Sequence, residues 1–408
     1  MSKLLNNLWL TVLLPICLMA AEAQVVNLSA VPRNPWNGKV DITYSLECAT
    51  ANAKIQLAFQ AYDNDRGEAV QILSLSGDGI GDTLPAGGPY KTIWDSDADF
   101  PQGHSTDIAI SVTVSDVTVS APITGTYLVI NLSDGTHRTT ESAPSLSSDT
   151  CRTTELWLKR ISAGEFDMGS PTTELGRLAD ETQHHVTLSK DYYIGIFELT
   201  QKQYQLITGS NPSQYTGDTR PVENVSYDDI RGNTATLGAG WPVFGHAVDS
   251  TSFLGKLRTL TSLALDLPTE AQWEFACRAG KTTALNTGNN LSDVATDSYL
   301  AAAGRYSQNT SDGKGSYSQH TKVGSYTANT WGLYDMHGNV AEWCLDFYGE
   351  YSTDALTNPT GIPLGGYHVL RGGHWRSTDA QYCRSASRNY LFPAGNDNYT
   401  GFRVCLMP

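Results

Sequence analysis

The chain has 408 residues, 27 of them Lys or Arg and 42 Asp or Glu, for a formal net charge of -15. That length accommodates two domains with separate cores. The acidic balance excludes nucleic acid or an anionic membrane as the main partner, since both are held through basic patches.

Lys3, the apolar stretch Leu8 to Ala20 and Ala21-Glu22-Ala23 before Gln24 follow the order of a secretory signal over residues 1–23. The expected location is therefore secreted, periplasmic or extracellular. The apolar stretch is too short for a membrane span, and nothing later reaches that length. Ile16 stands before Cys17 where a lipoprotein site needs a small residue. Removing the signal leaves Cys48, Cys151, Cys277, Cys344, Cys383 and Cys405. An even number in an oxidising compartment suits disulfides, with buried free thiols as the alternative.

From Gln24 to about Ser120 apolar residues alternate, as in Val40, Ile42, Tyr44 and Leu46, then Ile55, Leu57 and Phe59, then Ile108, Ile110 and Val112. Period two means strands with one buried face, and the breaks at 63–67, 76–79 and 85–89 are turn chemistry. The pattern predicts an all-β sandwich of immunoglobulin or fibronectin III type over residues 24–125, with Trp94 in its core. The Asp63 and Asp78 clusters lack the ligand order of an EF-hand. Residues 126–150, rich in Ser and Thr from Thr136 onward, read as an exposed linker. The strand-like Tyr127 to Ile130 belongs to either side of it.

Two helices announce themselves beyond residue 151. Thr200 caps one, with Gln203 in the capping-box position, and Thr269 caps another over Glu270 to Arg278, with Gln272 three residues on and Gly280 at its end. A third is expected within Ser250 to Leu265. His184 and His185 are adjacent on a predicted strand and point to opposite faces. Gly280-Lys281-Thr282 is no phosphate loop, because Phe275 stands where the motif needs Gly.

Phe166-Asp167-Met168-Gly169-Ser170, Tyr193-Ile194-Gly195-Ile196-Phe197-Glu198-Leu199-Thr200, Pro221-Val222-Glu223-Asn224-Val225-Ser226, Leu267 to Phe275, Gly338-Asn339-Val340-Ala341-Glu342-Trp343, Leu370-Arg371-Gly372-Gly373 and Gly401-Phe402-Arg403 stand in series. In that order residues 151–408 resemble the formylglycine-generating enzymes, or sulfatase-modifying factors. The resemblance implies a compact α+β fold related to C-type lectins. Members that oxidise a substrate cysteine carry two cysteines, which bind copper, shortly after the Arg-Gly-Gly turn. The first position falls here on Ser377, and the second on Tyr382 counted forward or Ala380 counted back from Arg388. A hydroxyl is a poor ligand for Cu(I) and supplies no thiolate at neutral pH, so copper is not expected. Cys383, one register off, is the thiol that a rearranged centre would use.

The resemblance further implies a calcium site at Asp335, the carbonyls of Gly338 and Val340, and Glu342, whose hard oxygens suit that ion. A second family site would fall near Ala301, Ala302, Gly315 and Tyr317, where two of its side-chain oxygens are missing. By the same resemblance Cys277 pairs with Cys383, which sits two residues off the family position. His374, Trp375, Tyr382, Arg388 and Tyr390 are candidates to line a ligand groove or to pack the core. Arg371, Arg384, Arg388 and Arg403 read as clamps on carboxylates such as Glu270, Glu274 and Glu342. His374, Ser377 and Asp379 contain the residue types of a hydrolytic triad, which needs a geometry that sequence does not give. The expected protein is a calcium-stabilised recognition module for a peptide, glycan or partner protein, without the catalytic cysteine pair. The alternative is a formylglycine-generating type of oxidase acting on a protein cysteine through a rearranged metal centre.

Overall fold

A computed structural model describes residues 7–11, 23–32, 39–48, 53–65, 68–70, 72, 74–78, 84–85, 87–99, 107–119, 123–232, 248–309 and 319–407. The chain divides into two compact units, Met1–Pro122 and Ile123–Pro408. Most of the expected signal, residues 1–6 and 12–22, lies outside the described residues, as do Gly315 and Tyr317.

The described residues of the first unit form two sheets. One contains β1 (Asn7–Thr11), β4 (Ala53–Asp63), β5 (Glu68–Val70), β7 (Leu84–Pro85) and β9 (Asp107–Val119); the other contains β2 (Ala23–Pro32), β3 (Lys39–Cys48), β6 (Leu75–Gly77) and β8 (Gly87–Asp95). The period-two pattern explains both. Val40, Ile42, Tyr44 and Leu46 of β3 are buried with Ile55, Leu57, Ile108, Ile110 and Val112 in one shared core. Each such side chain contributes roughly 1.5–3 kcal/mol when fully buried. Trp94 is fully buried in that core, and its indole nitrogen donates at 2.8 Å to Asp99 at the end of the short helix α1 (Ser96–Asp99).

In the second unit, Tyr127–Asn131 (β10) pairs with Glu155–Ile161 (β12) and with His137–Thr140 (β11). The segment read as a linker thus contains two strands of a five-stranded sheet, completed by β15 (Tyr192–Gly195) and β21 (Cys405–Leu406). The Ser and Thr content there serves an edge strand, since His137, Arg138 and Thr139 of β11 are exposed. A second sheet holds β13 (Gly164–Met168), β14 (His184–Leu188) and β17 (Leu356–Thr357). The third runs β19 (Arg388–Leu391), β18 (His368–Arg371), β16 (Ala341–Phe347), β20 (Thr400–Gly401).

The helices are short, and all the α-helices described after Thr153 carry a side-chain cap at the N-terminus. After α2 (Thr150–Thr153) come α3 (Gln201–Thr208) and α4 (Tyr227–Arg231). They are followed by α5 (Phe253–Thr261), α6 (Glu270–Arg278) and α7 (Ser298–Ala303). Thr200 and Thr269 close complete capping boxes with Gln203 and Gln272, as the sequence predicts. The expected third helix is shorter than its window because Ser252 caps it and Ser262 turns left-handed at its end. All nine residues of α6 are buried, and every residue of β16 is too. These two elements form the frame on which the site is built.

Candidate functional site

Four arginines from the C-terminal third tie β16, α6 and the loops together. Arg403 holds Glu342 with Nε at 2.5 Å and Nη2 at 2.6 Å, and Arg388 holds Glu270 with Nε at 2.7 Å and Nη2 at 2.9 Å. Arg384 reaches Glu181 at 2.6 Å and Glu174 at 2.6 Å, and Arg371 pairs with Glu274. All four guanidiniums are buried. Breaking one such pair costs about 3–5 kcal/mol because a charge is left behind, so these arginines are clamps. Glu174 and Glu181 are partners that sequence reasoning did not name.

Around the turn Asp335 to Glu342 the structure gathers a second set of acids. Gly338 makes the turn possible: its φ is +83°, and a Cβ there would lie 2.0 Å from the Arg305 carbonyl oxygen. Glu342 accepts from Arg403 and, at 2.7 Å, from the Trp273 indole. Asp335 Oδ2 accepts from the Gly324 amide at 2.6 Å, while Oδ1 is buried with no donor. Glu198 accepts from the Val340 amide at 2.9 Å and the Asn339 amide group at 2.5 Å. Burial, then the charges of Asp335 and Glu342, push the Glu198 carboxyl well above its ordinary range. Burial likewise raises Asp335 to about 6, against the Gly324 amide and the Arg403 charge. Three carboxyls thus share the Arg403 guanidinium, with Arg152 adding a weaker charge on Asp335, and the remaining excess of negative charge is relieved by a proton or a cation. Glu198 lies inside a quoted motif, but its environment comes from residues 142 positions away. Among the described residues no three His, Cys, Asp or Glu side chains are arranged to hold a metal by themselves.

Ser377, His374, Tyr382 and Arg388 line a cavity of about 390 Å³, together with Gly373, Arg376, Thr378 and Asn389 over an apolar floor of Leu178 and Leu370. No carboxylate is among the described lining residues. Trp375 and Tyr390 do not line this cavity. Trp375 is buried, donates to the Asn398 carbonyl at 3.0 Å and packs edge-on to Tyr215, while Tyr390 is 45% exposed beside Tyr348 and Tyr367. The triad is not assembled. Ser377 Oγ accepts from the His374 amide at 3.0 Å, and His374 Nδ1 accepts from the Arg376 amide at 3.2 Å. That bond leaves the proton on Nε2, and burial with the nearby Arg376 charge lowers the imidazole to about 4, so it is neutral.

Cys277 and Cys383 do not form the expected disulfide; Cys48, Cys151, Cys344 and Cys405 are free thiols as well. The Cys277 sulfur sits 3.6 Å from both the Met336 carbonyl and Ser385 Oγ, whereas that of Cys383 lies by Ser377 and the Gly373 turn. Burial pushes the Cys383 thiol up to about 12 and Cys277 likewise to about 12. Neither is a thiolate at neutral pH. His184 and His185 face opposite ways, one buried and one exposed, with no shared ligand position.

Residues 145–407 match the family model described as the sulfatase-modifying factor enzyme 1-like domain. The chain is 29% identical over 252 residues to the serine/threonine-protein kinase pkn1 of Chlamydia pneumoniae, covering 60% of this chain and 36% of that one. It thus spans little more than a third of that relative's length. It is 31% identical over 214 residues to the chaperone protein LppX of Paenibacillus barcinonensis, covering 48% of this chain and 72% of that one. With the formylglycine-generating enzyme of Bos taurus it shares 25% identity over 274 residues, 60% of this chain and 72% of the relative. Among solved structures, Treponema denticola variable protein 1 superposes with a TM-score of 0.50 at 25% identity, covering 62% of this chain and 96% of that one.

Proposed function

The chain belongs to the sulfatase-modifying factor enzyme 1-like family, and from that premise we propose that its second unit is a recognition module without oxidase chemistry. One observation carries the reading: where a copper-binding cysteine pair would sit, Ser377 lines the cavity above a single buried, protonated thiol, Cys383. Cu(I) needs soft thiolates, and one inert thiol beside a hydroxyl is not such a set. Of the two candidates for the second position, Tyr382 is 40% exposed and Ala380 is buried, and neither supplies a thiol. The groove offers donors instead: His374 Nε2–H, the Arg376 guanidinium and the hydroxyls of Ser377 and Thr378. With no carboxylate among its described lining, it suits an extended ligand rich in acceptors, such as the carbonyls and carboxylates of a peptide or the hydroxyls of a glycan.

Calcium belongs to this proposal as a structural ion. Asp335 fits it, since one oxygen lacks a donor and the surrounding acids exceed the available cations. Glu342 has less to give, because Arg403 and Trp273 already bond to it. The ion would therefore rest on Asp335 and the carbonyls of Gly338 and Val340, with Glu342 sharing an oxygen. The first unit, read as immunoglobulin-like, is proposed as a spacer or second adhesive element, and residues 1–23 as a secretion signal.

Titration of the reduced full chain with Cu(I) against a chromophoric chelator tests the central element. The expected result is no stoichiometric copper and no change on Cys383→Ala. One tightly held Cu(I) that is lost in that variant would overturn the reading in favour of a rearranged oxidase centre.

A further inference from the structure

We propose that a second cavity in the same unit, lined by Asp346 and by apolar side chains, binds a primary amine, either a free alkylamine or a lysine side chain. The cavity measures about 180 Å³ and shares only Arg388 with the groove described above. Met168, Phe347 and Ile362 supply its apolar walls, and Glu350 and Tyr351 also line it. A head that wants a carboxylate and a stem that wants hydrocarbon match these two parts.

Cations are shared unequally among the buried acids of this unit. Glu181, Glu274, Glu342 and Asp266 are each met by an arginine. Glu270, beside Asp346, takes two: Arg388 at 2.7 Å and Arg371 at 3.6 Å. Asp346 is only 4% exposed, and among the described residues no arginine or lysine is paired with it, Arg388 acting on it only from beyond ion-pair contact while bonded to Glu270. The Asp346 carboxyl accepts from two neutral donors, the Glu270 amide at the start of α6, 2.8 Å from Oδ2, and its own backbone amide. The other titratable groups on the cavity are Glu270, Arg388, Glu350, His184 and Tyr351. Arg388 is committed to Glu270 and the Gly349 carbonyl, and His184 to the Thr182 carbonyl. Burial, then the Glu270 charge, raises the Asp346 carboxyl to about 8, so near neutral pH it holds its proton. An entering ammonium replaces that proton. The carboxyl releases H⁺ to solvent and the ammonium and carboxylate pair in its place, with charge conserved inside the cavity.

Calorimetric titration of the full chain with n-butylamine near neutral pH, in two buffers of different ionisation enthalpy, tests this. Expected are saturable binding, release of close to one proton per amine, and no comparable binding of n-butanol. Asp346→Asn keeps the oxygen that accepts from the Glu270 amide and so keeps the fold. It is expected to weaken butylamine at least tenfold and abolish the proton release. Nα-acetyl-lysine methylamide separates the sources: binding like butylamine assigns a lysine side chain, and failure where butylamine binds assigns a free amine. Equal binding of butylamine and butanol overturns the proposal. So does an unchanged affinity in folded Asp346→Asn, or a loss seen only in Glu350→Gln.

Discussion

At the scale of single residues, the second unit is organised by who pairs with which buried acid. The clamps were legible: arginines crowded after residue 370 and acids on an apolar helix imply each other, because neither is buried alone. Glu198 and Asp346 were not legible, since each owes its state to neighbours far away in sequence, such as Val340 for Glu198 and Glu270 for Asp346. The Asp346 shift has a consequence for stability. Its pKa rises from the ordinary 3.8 in the unfolded chain to about 8 in the fold. Between those values the unfolded chain releases the proton and the folded chain keeps it. Stability therefore falls as pH rises through that window and levels off above it. Asp346→Asn removes this slope. Thermal melts are expected to show the variant close to the parent near pH 4 and more stable above about pH 8, by on the order of a few kcal/mol. A gap that does not widen with pH would contradict the assignment of Asp346 as an uncompensated buried acid.

At the scale of elements, the legible helices were those with complete capping boxes. Thr269 and Gln272 set the start of α6, which in turn presents Glu270, Trp273 and Glu274 to the arginines. Thr269→Ala is expected to cost about 1 kcal/mol, read as a lower urea midpoint with an unchanged slope. An unchanged midpoint would mean that packing of the buried helix, and not its cap, fixes where it begins. Helix α4 escaped the sequence reading although Ser226 and Asp229 form a reciprocal box. The helix is five residues long, too short to show a period, and its signal used Asp where Glu or Gln is usual. Strand β10 was legible from its apolar run, but β11, in the Ser and Thr stretch, escaped for a related reason. An edge strand with one solvated face has no apolar alternation to read. The Cys277–Cys383 pairing failed on placement, since the two sulfurs face different loops.

At the scale of the whole molecule, each unit has its own core: a shared two-sheet interior in the first, and buried clusters around β12, β16, α5 and α6 in the second. Period-two alternation made the first readable as paired sheets, because burial of one strand face dictates it. The second has little periodicity and much ordered loop, so its architecture was readable only through a series of motifs. Within those motifs lies the clamp frame; the proposed recognition role rests on the chemistry beside it, where Ser377 and Tyr382 line the cavity and Cys383 is a buried thiol. The most direct measurement is aldehyde formation on a cysteine-containing peptide, followed by mass spectrometry, with the full chain supplied with Cu(I), a thiol reductant and oxygen. The expected result is unmodified peptide at every time point, with calcium retained by the protein. Multiple turnovers to an aldehyde product would contradict the proposal and show that the chain is an oxidase.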